Sequence, residues 1–305
     1  METDREIKGI VPVLTTPLNK DGSVDESALA RIIEFLISKR VGGFWALGTG
    51  SEDMNLSFDR RLKIARIVSE TNSGRLPIIL GASFYATDDI IDFIKETQEL
   101  KIDAFHVMVY HNLLGLDRVE WLYNFVADKS PKPVWIYSSA NYGRALPPEI
   151  VDRIKTHPNI KGVKYSTKNA LDIAKVVTMA DDEFQVITAV ASILYTCLCL
   201  GVKAHTTSLA SCLPEPLVEI YDLFQTGDRE KALEKQMRFV NFLEMLPRRL
   251  RNDNFFQAAE EKFILHLRKL CNEYTTSYYS DVSDDEKIHI RNILKDFDYP
   301  PFDKI

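Results

Sequence analysis

Short apolar runs alternate along the chain with longer stretches in which apolar residues recur every three or four positions. The runs are rich in β-branched and aromatic residues, which favours strands, and the stretches between them have the spacing of one helix face. In ESALARIIEFLISK (26–39), Leu29, Ile32 and Leu36 show this helical spacing. Eight apolar runs lie before residue 225: 10–16, 44–47, 77–83, 104–110, 133–137, 160–164, 184–189 and 204–208.

The regular alternation of strands and helices predicts the fold class. Each interval between strand ends has room for one helix, and strands that alternate with helices form a parallel sheet. Eight such units close into a (β/α)8 TIM barrel, which we expect over residues 1–225. Helical patterns at 229–246, 254–271 and 284–294 then predict a C-terminal helical extension over residues 226–305. An open doubly wound sheet is the alternative, but TTPLNKDGS after the first strand is not the glycine-rich phosphate loop it needs.

Composition and charge narrow the classes of partner. The chain has 305 residues, a formal net charge of -6 and a pI near 5.6. An acidic chain lacks the positive field of nucleic-acid-binding proteins, so we expect no nucleic-acid partner. A basic run at Arg248, Arg249 and Arg251 is interpreted as a solvated helix end, and only weakly as an anion site.

Targeting and cysteine patterns predict the compartment. No apolar run is long enough to span a bilayer, so we expect no membrane partner, and the start, METDREIKG, has no apolar signal core. The four cysteines include one C-x-C pair at Cys197 and Cys199 without a second pair nearby, which is a poor zinc pattern. We therefore expect a reduced, cytoplasmic protein without a metal site.

The run IKGVKYS (160–166) carries a lysine near the end of a predicted buried strand. In a (β/α)8 barrel the active site lies at the C-terminal ends of the strands. Alternation places Lys164 on the same face as Gly162, which we expect to leave room near the barrel axis. A desolvated lysine has a lowered pKa and can attack a carbonyl substrate to form a Schiff base. A lysine that extends past the rim to pair with an acid is the alternative.

Two neighbouring features add to this candidate site. Tyr137 ends the preceding run, PVWIY, and adjacent strands lie about 4.8 Å apart, so Tyr137 and Lys164 are expected to point into the same mouth. Such a tyrosine can relay protons, although taken alone it is better interpreted as an aromatic cap of the core. The loop GTGSE (48–52) offers hydroxyls and backbone N–H groups suited to a carboxylate or phosphate, but many βα turns are rich in glycine and serine.

Together these motifs resemble a known family. GTGSE followed by NLS, then IYSSANYG, then GVKYST, and the opening GIVPVLTTPLNKDGSVD (9–25), are similar to the dihydrodipicolinate synthase and N-acetylneuraminate lyase family. The resemblance covers nearly the whole chain. It implies a class I, Schiff-base-forming barrel with a helical extension that acts on a 2-oxo acid, with pyruvate as the default donor or product. It also implies no metal or cofactor, because the iminium ion is the electron sink, and a homotetramer or a dimer.

The resemblance assigns roles to individual residues. Lys164 falls on the Schiff-base lysine, and Tyr137 falls on the tyrosine that relays protons and binds the substrate. Thr49 falls on the first hydroxyl residue of the loop that binds the keto-acid carboxylate, and Thr206 falls on a strand-eight position near the substrate. The candidate substrate-binding residues are therefore Thr49, Gly50, Ser51, Tyr110, His111 and Thr206.

The carboxylate loop and the fourth strand depart from the family pattern. The second hydroxyl of the loop is Gly50 here, and the following glycine is Ser51. Either Ser51 or backbone amides replace the lost hydroxyl, or the substrate lacks a pyruvate-like carboxylate. Tyr110 and His111 stand where the synthase branch has a tyrosine pair, of which one crosses a subunit interface and completes a proton relay; His111 replaces that interface tyrosine.

Two further departures bear on the second substrate. After Tyr137 the synthase branch has N-x-P-x-R, whose arginine holds the second substrate's carboxylate; here the stretch is SSANYG and the next arginine is Arg144. At strand seven, Ala189 and Val190 replace the usual glycine-containing pair.

These departures argue against lysine-biosynthetic synthase activity, and we expect a class I aldolase or lyase with a different acceptor. A dehydratase of a sugar-derived keto acid and a non-catalytic binding or regulatory homologue are the alternatives. A Schiff-base enzyme of sugar phosphates, for which the arginine run would matter, is a weaker one.

Overall fold

The structure is a computed structural model that describes residues 6–247 and 257–297. It contains eight parallel strands, and each overlaps one of the eight predicted runs, so the predicted strands are confirmed. The strands are β1 (Gly9–Pro12), β2 (Phe44–Ala46), β3 (Ile78–Gly81), β4 (Ala104–Met108), β5 (Val134–Ser139), β6 (Ile160–Ser166), β7 (Gln185–Ala189) and β8 (Ala204–Thr207).

The strand order makes the sheet a barrel. Neighbours follow the order β1-β8-β7-β6-β5-β4-β3-β2. The two edges meet where Val13 forms a parallel bridge with Trp45 and the Leu14 N–H donates to the Trp45 carbonyl at 3.0 Å. The expected (β/α)8 TIM barrel is confirmed, and the open-sheet alternative is wrong.

Helices lie between the strands and begin where side chains can cap them. Asp25 accepts a hydrogen bond from the Ala28 N–H at 3.0 Å, which satisfies one of the unpaired donors of the first turn. Asn169 caps the helix after β6 in the same way. The barrel helices are α1 (Glu26–Ser38), α2 (Phe58–Asn72), α3 (Thr87–Thr97), α4 (Leu116–Lys129), α5 (Pro148–Ile154), α6 (Ala170–Val177), α7 (Leu194–Cys199), α8 (Leu209–Cys212) and α9 (Pro214–Gln225).

Alternate residues of the strands build two separate cores. One set packs outward against the helices, and the other fills the barrel interior, as the two-residue period of a strand requires. The interior is aromatic near β5, where a Cβ on Gly162 would meet the Trp135 indole at 2.6 Å. The space that we expected Gly162 to leave near the axis is therefore filled by Trp135.

In the described residues, three further helices follow the barrel: α10 (Arg229–Glu244), α11 (Gln257–Leu267) and α12 (Asp284–Phe297). They correspond to the three predicted helical segments. Helix α11 packs against α8 and against the short turn Thr49–Ser51 at the barrel mouth, so the extension contacts the candidate site directly. The boundary expected near residue 225 stays a prediction.

Two remaining findings concern the described residues only. None of the helices in residues 6–247 and 257–297 combines the length and the apolar character needed to cross a bilayer. Arg248, Arg249 and Arg251 lie outside the described residues.

Candidate active site

A cavity of about 420 Å³ opens at the C-terminal ends of the strands. The structure brings five of the eight predicted site residues to this cavity, from four different strand ends. These five residues are Thr49, Gly50, Tyr137, Lys164 and Thr206. The position is the one that parallel barrels use for chemistry, because the loops that follow the strands converge there.

Lys164 is buried at the floor of the cavity, with 3% of its surface exposed. Its Nζ lies 4.0 Å from the centre of the Tyr137 ring and 4.8 Å from that of Trp45. In the part of the chain that the structure describes, Nζ has no hydrogen-bond or ion-pair partner, so the alternative of a rim lysine paired with an acid does not describe this geometry. Burial lowers the pKa of Lys164 to about 7, against an opposing effect of Asp53. A large fraction of the side chain is therefore a neutral, nucleophilic amine near pH 7.

Tyr137 lies beside Lys164 because β5 and β6 pair in register at these two residues. Its hydroxyl is 2.9 Å from Thr49 Oγ1, and either oxygen can donate. Burial raises the pKa of Tyr137 well above its usual value, so the phenol stays protonated at neutral pH. Such a phenol can donate a proton to an oxygen that develops negative charge beside Lys164.

The Gly50 position shows how the carboxylate loop differs from the family pattern. A Cβ on Gly50 would lie 2.6 Å from the Ser208 Cβ, so Ser208 occupies the space that a side chain at position 50 would need. Ser208 also lines the cavity, and its hydroxyl donates to Glu261 Oε1 at 2.6 Å. Ser51 is directed elsewhere, because its hydroxyl donates to the Leu14 carbonyl and it does not line the cavity.

Thr206 and Val190 shape the opposite wall of the cavity. Thr206 is fully buried, and its hydroxyl has no hydrogen-bond partner among residues 6–247 and 257–297. A buried, unpartnered hydroxyl is costly, and a bound ligand would satisfy it. Val190 has a φ of 78°, which is rare for a β-branched residue and indicates local backbone strain at the end of β7.

Tyr110 and His111 do not line the cavity. The Tyr110 hydroxyl donates to the buried carboxylate of Asp53. His111 is exposed, and its ring packs edge-on against Tyr85 with 5.0 Å between ring centres. Both residues line a separate apolar pocket of about 160 Å³ that also includes Trp121. Within one chain the structure does not bring His111 to Lys164, and its assignment as a substrate-binding residue stays a prediction.

Sequence reasoning missed the groups that hold the site loop. Glu52 follows the Thr49–Ser51 turn with a φ of 61°, and its buried carboxylate contacts the ammonium of Lys262 on α11. The same carboxylate accepts from the Thr276 N–H at 2.7 Å. Asp53, the next residue, is also buried. The two adjacent acids, the last residue of GTGSE and the residue after it, were the available signal, although their partners lie too far away in the sequence to be predicted.

The stretch after Tyr137 presents neutral groups to the cavity. Asn141 and Tyr142 line it, whereas the Arg144 guanidinium donates to the Asn112 carbonyl at 3.1 Å and lies outside the lining. Lys168 is the second cation in the lining besides the Schiff-base candidate. No group of three or more metal-ligating side chains is placed to hold a metal ion in the described ranges.

A family model and similar curated proteins all point to the same family. The model of the dihydrodipicolinate synthetase family matches residues 6–296. The chain is 30% identical over 231 residues to the 4-hydroxy-tetrahydrodipicolinate synthase of Listeria monocytogenes, a match that covers 74% of this chain and 78% of that enzyme. It is 28% identical over 241 residues to the enzyme of the same name from Archaeoglobus fulgidus, covering 78% and 82% of the two chains.

Solved structures agree on the fold. YagE, a prophage protein of E. coli K12 solved in complex with pyruvate, superposes with a TM-score of 0.86 at 21% identity, covering 95% of this chain and 98% of that one. CdNal from Clostridium difficile, solved in complex with mannosamine, gives a TM-score of 0.88 at 18% identity, covering 96% and 100%. The resemblance inferred from the motifs is confirmed: the chain belongs to the dihydrodipicolinate synthetase family, whose members are aldolase-type lyases.

Proposed function

We propose that the protein is a Schiff-base-forming class I aldolase or lyase that acts on a 2-oxo acid, with a pyruvate-type donor or product, and that it is not a dihydrodipicolinate synthase proper. The observation that carries this proposal is the buried, unpaired Lys164 beside the Tyr137–Thr49 hydrogen bond at the cavity floor. An unpaired buried lysine is costly to a fold, and such groups cluster at functional sites.

The geometry fits each stage of imine chemistry. The neutral Lys164 amine adds to the ketone carbon, and the carbonyl oxygen leaves as water with uptake of one proton, which leaves a cationic C=N bond on Nζ. The Tyr137 phenol supplies and recovers protons at the oxygen, and Thr49 orients the phenol. During cleavage, the bond between the carbons α and β to the iminium carbon breaks: its electron pair forms the enamine, and the β-hydroxyl loses its proton to become a carbonyl group. During condensation, the enamine returns that pair to the carbonyl carbon of the acceptor, whose oxygen takes up a proton.

The carboxylate of the 2-oxo acid has candidate donors that differ from the family pattern. The Thr206 hydroxyl is unpartnered among the described residues, and the turn Thr49–Ser51 contributes Gly50 to the lining. Ser208 occupies the space that a side chain at position 50 would need, but its hydroxyl proton is donated to Glu261. The arrangement therefore supports a keto-acid carboxylate bound by the Thr206 hydroxyl and the backbone of the turn.

The proposal that the chain is not a synthase proper rests on the stretch after Tyr137, where the synthase branch has the arginine that binds the second substrate. There the lining has Asn141 and Tyr142, while Arg144 is hydrogen-bonded to Asn112 outside the cavity. A carboxylate-bearing second substrate would meet no arginine at this position. Relatives carry the synthase name, so the distinction must be tested by activity.

Reductive trapping tests the imine. The protein is incubated with pyruvate and a panel of 2-oxo acids, reduced with borohydride, and analysed by intact and peptide mass. We expect an adduct on Lys164 that is absent in Lys164→Ala. Lys161→Ala is the matched control. Lys161 lies near the start of the same strand, away from the cavity, and its ammonium is paired with Glu183. Failure of every 2-oxo acid to label Lys164 would overturn the proposal and favour a non-catalytic binding protein.

Product analysis tests the choice of reaction. The protein is assayed for formation of 4-hydroxy-tetrahydrodipicolinate and, separately, for pyruvate release from hydroxylated 2-oxo acids. We expect release of pyruvate or its condensation with an aldehyde, and no synthase product. Turnover to the synthase product would overturn the second half of the proposal, and loss of water without C–C cleavage would identify a dehydratase.

We also propose that the chain forms a homo-oligomer, either a dimer or a tetramer. Support comes from large apolar side chains exposed together around His111, namely Tyr85 at 58%, Leu113 at 99% and Trp121 at 42% exposure. Light scattering should give a mass of two or four chains, and Leu113→Asp should lower it. A monomer at micromolar concentration would contradict the proposal.

A further inference from the structure

A second ionisable group is buried beside the site and has no role in the chemistry above. Asp53 follows Glu52 directly after the turn that lines the cavity, and 1% of its surface is exposed. Carboxylates are almost never fully buried unless they are paired, because burial penalises the charged form. Its position next to the site loop therefore calls for a functional explanation.

The hydrogen bonds of Asp53 are incomplete. The Tyr110 hydroxyl donates to Oδ2, whereas Oδ1 has no hydrogen-bond partner in the described part of the chain. The nearby Arg61 guanidinium donates to the carbonyls of Leu56 and Ser83 and forms no ion pair with Asp53 among the described residues. One carboxylate oxygen thus remains available as an electrostatic partner.

Packing connects this carboxylate to the Schiff-base candidate. Tyr110 belongs to the interior cluster that contains Trp45 and Tyr137, the two rings over which the Lys164 ammonium lies. Tyr110 lies two residues beyond Met108, the register partner of Tyr137. Asp53 is therefore hydrogen-bonded to a residue of the same interior cluster.

The electrostatics act in both directions between the two groups. The charge of Asp53 raises the pKa of Lys164 against the larger lowering by burial. Burial raises the pKa of Asp53, and the charges of Arg61 and Lys164 lower it.

The other titratable groups around Lys164 are neutral and supply no negative charge to it. Burial lowers the pKa of His106 and of His205, which keeps both rings neutral. Burial raises the pKa of Tyr137, which keeps the phenol neutral. Burial likewise raises the pKa of Tyr279, on which the charge of Asp53 also acts, to about 12.

We propose that Asp53, anchored by Tyr110, is a positioning residue that supplies the counter-charge for the cationic forms of Lys164, namely the ammonium ion and the iminium ion that follows from it. The iminium part rests on the proposed function. The C=N bond carries one positive charge on the nitrogen of a buried side chain, and a buried cation without a counter-charge is strongly unfavourable. Asp53 is thus expected to stabilise the intermediate without touching the substrate.

The first test uses no substrate and is independent of the proposed function. Lys164 is labelled with trace acetic anhydride across pH, and its reactivity is read from the peptide that contains it. Asp53→Asn should lower the midpoint of the labelling curve by about one pH unit, because it removes the charge that favours the ammonium. Asp182→Asn, which changes an exposed carboxylate three residues before β7, is the matched control and should leave the midpoint unchanged. An unchanged midpoint in Asp53→Asn would overturn the proposal.

A second variant with a smaller side chain keeps the test valid if the first variant does not fold. If Asp53→Asn does not fold, Asp53→Ser, which can still accept a hydrogen bond from Tyr110, must produce the same downward shift. Circular dichroism and the unfolding temperature establish that each variant is folded. A folded Asp53→Ser variant with the wild-type midpoint would equally refute the role.

The second test isolates the iminium ion. Trapping with pyruvate and borohydride is carried out near pH 9, where Lys164 is a neutral amine in both proteins. Asp53→Asn should need a several-fold higher pyruvate concentration for half-maximal trapping. Equal trapping in both proteins would refute the iminium role, whereas no trapping in the wild type would refute the proposed function and leave the labelling result intact.

Discussion

Two buried lysines show how differently one residue type can be used in this molecule. Lys262 on α11 is fully buried, but its ammonium contacts the Glu52 carboxylate and donates to the Tyr274 carbonyl at 2.8 Å. Lys164 at the end of β6 is also buried, but in the described ranges its ammonium meets aromatic rings and no hydrogen-bond acceptor. The first lysine is satisfied and joins the extension to the site loop. The second is unsatisfied, and burial lowers its pKa to about 7.

The comparison distinguishes a buried charge that stabilises the fold from a buried amine that is available for chemistry. Breaking a paired buried charge leaves its partner uncompensated, so the pair matters for stability. An unpaired buried amine instead lowers stability and gains nucleophilicity. Replacing each lysine with methionine, which has a similar length and no charge, should therefore have opposite consequences.

The largest expected effect is on turnover in Lys164→Met. Activity on the substrate identified by trapping should fall by about 10⁴-fold or more, because the covalent route is lost; each factor of ten is about 1.36 kcal/mol in the barrier. The free energy of unfolding at pH 7 should rise, because the cost of burying the amine is removed. Steady-state kinetics and urea unfolding measure the two. An active Lys164→Met, with Lys161→Met as the matched control, would remove the basis of the comparison.

Lys262→Met should instead destabilise the protein, by about 3–5 kcal/mol, because Glu52 would remain as an uncompensated buried carboxylate. Urea unfolding of Lys262→Met, Glu52→Gln and the double variant forms the test. The double variant should recover part of the loss. A Lys262→Met variant as stable as the wild type would mean that the pair contributes nothing to holding the loop.

The pH dependence of stability should distinguish the two lysines further. The pKa of Lys164 is about 7 in the folded state and about 10.4 in the unfolded chain, so the unfolded state binds more protons between these values. Stability due to this group is complete above about 10.4 and is lost as the pH falls toward 7. The stability difference between Lys164→Met and the wild type should therefore shrink by about 3 kcal/mol from pH 7 to 9.5. A difference that does not vary with pH would contradict the lowered pKa.

The smallest expected effect concerns the loop that lies between the two lysines. Gly50→Ala should cost about 1–3 kcal/mol, because the new Cβ would lie 2.6 Å from the Ser208 Cβ. Adding Ser208→Gly should restore most of the loss by opening that space. Thermal unfolding of the single and double variants measures the coupling. Additive effects would show that the two positions do not compete for space.

Local sequence determined the framework of the site. The period-two and period-3.6 patterns predicted all eight strands and the helices between them, because periodicity reports which faces must be buried. Consecutive strands of a parallel barrel are neighbours, so two polar residues at successive strand ends had to meet. Tyr137 and Lys164 lie side by side for this reason.

Tertiary structure decided which neighbours complete the site. Glu52 meets Lys262, Ser208 meets Glu261, and Tyr110 meets Asp53, across 210, 53 and 57 positions of the chain. Sequence spacing carries no information about such contacts, since they depend on how distant loops and the extension pack together at the mouth of the barrel. The sequence likewise did not predict the direction of the side chains in the loop after β2.

Gly162 and Ser51 show the same limit at the scale of single side chains. Strand alternation placed Gly162 on the inner face, but only the packed interior shows that the Trp135 ring fills the space beside it. The sequence offered Ser51 as a substrate-binding hydroxyl, and the fold directs that hydroxyl to the Leu14 carbonyl. Alternation and composition thus determine which groups reach the mouth of the barrel. Close packing among distant segments determines which of them remain free to react, because a hydroxyl or a charge that finds a partner in the fold is no longer available to a substrate.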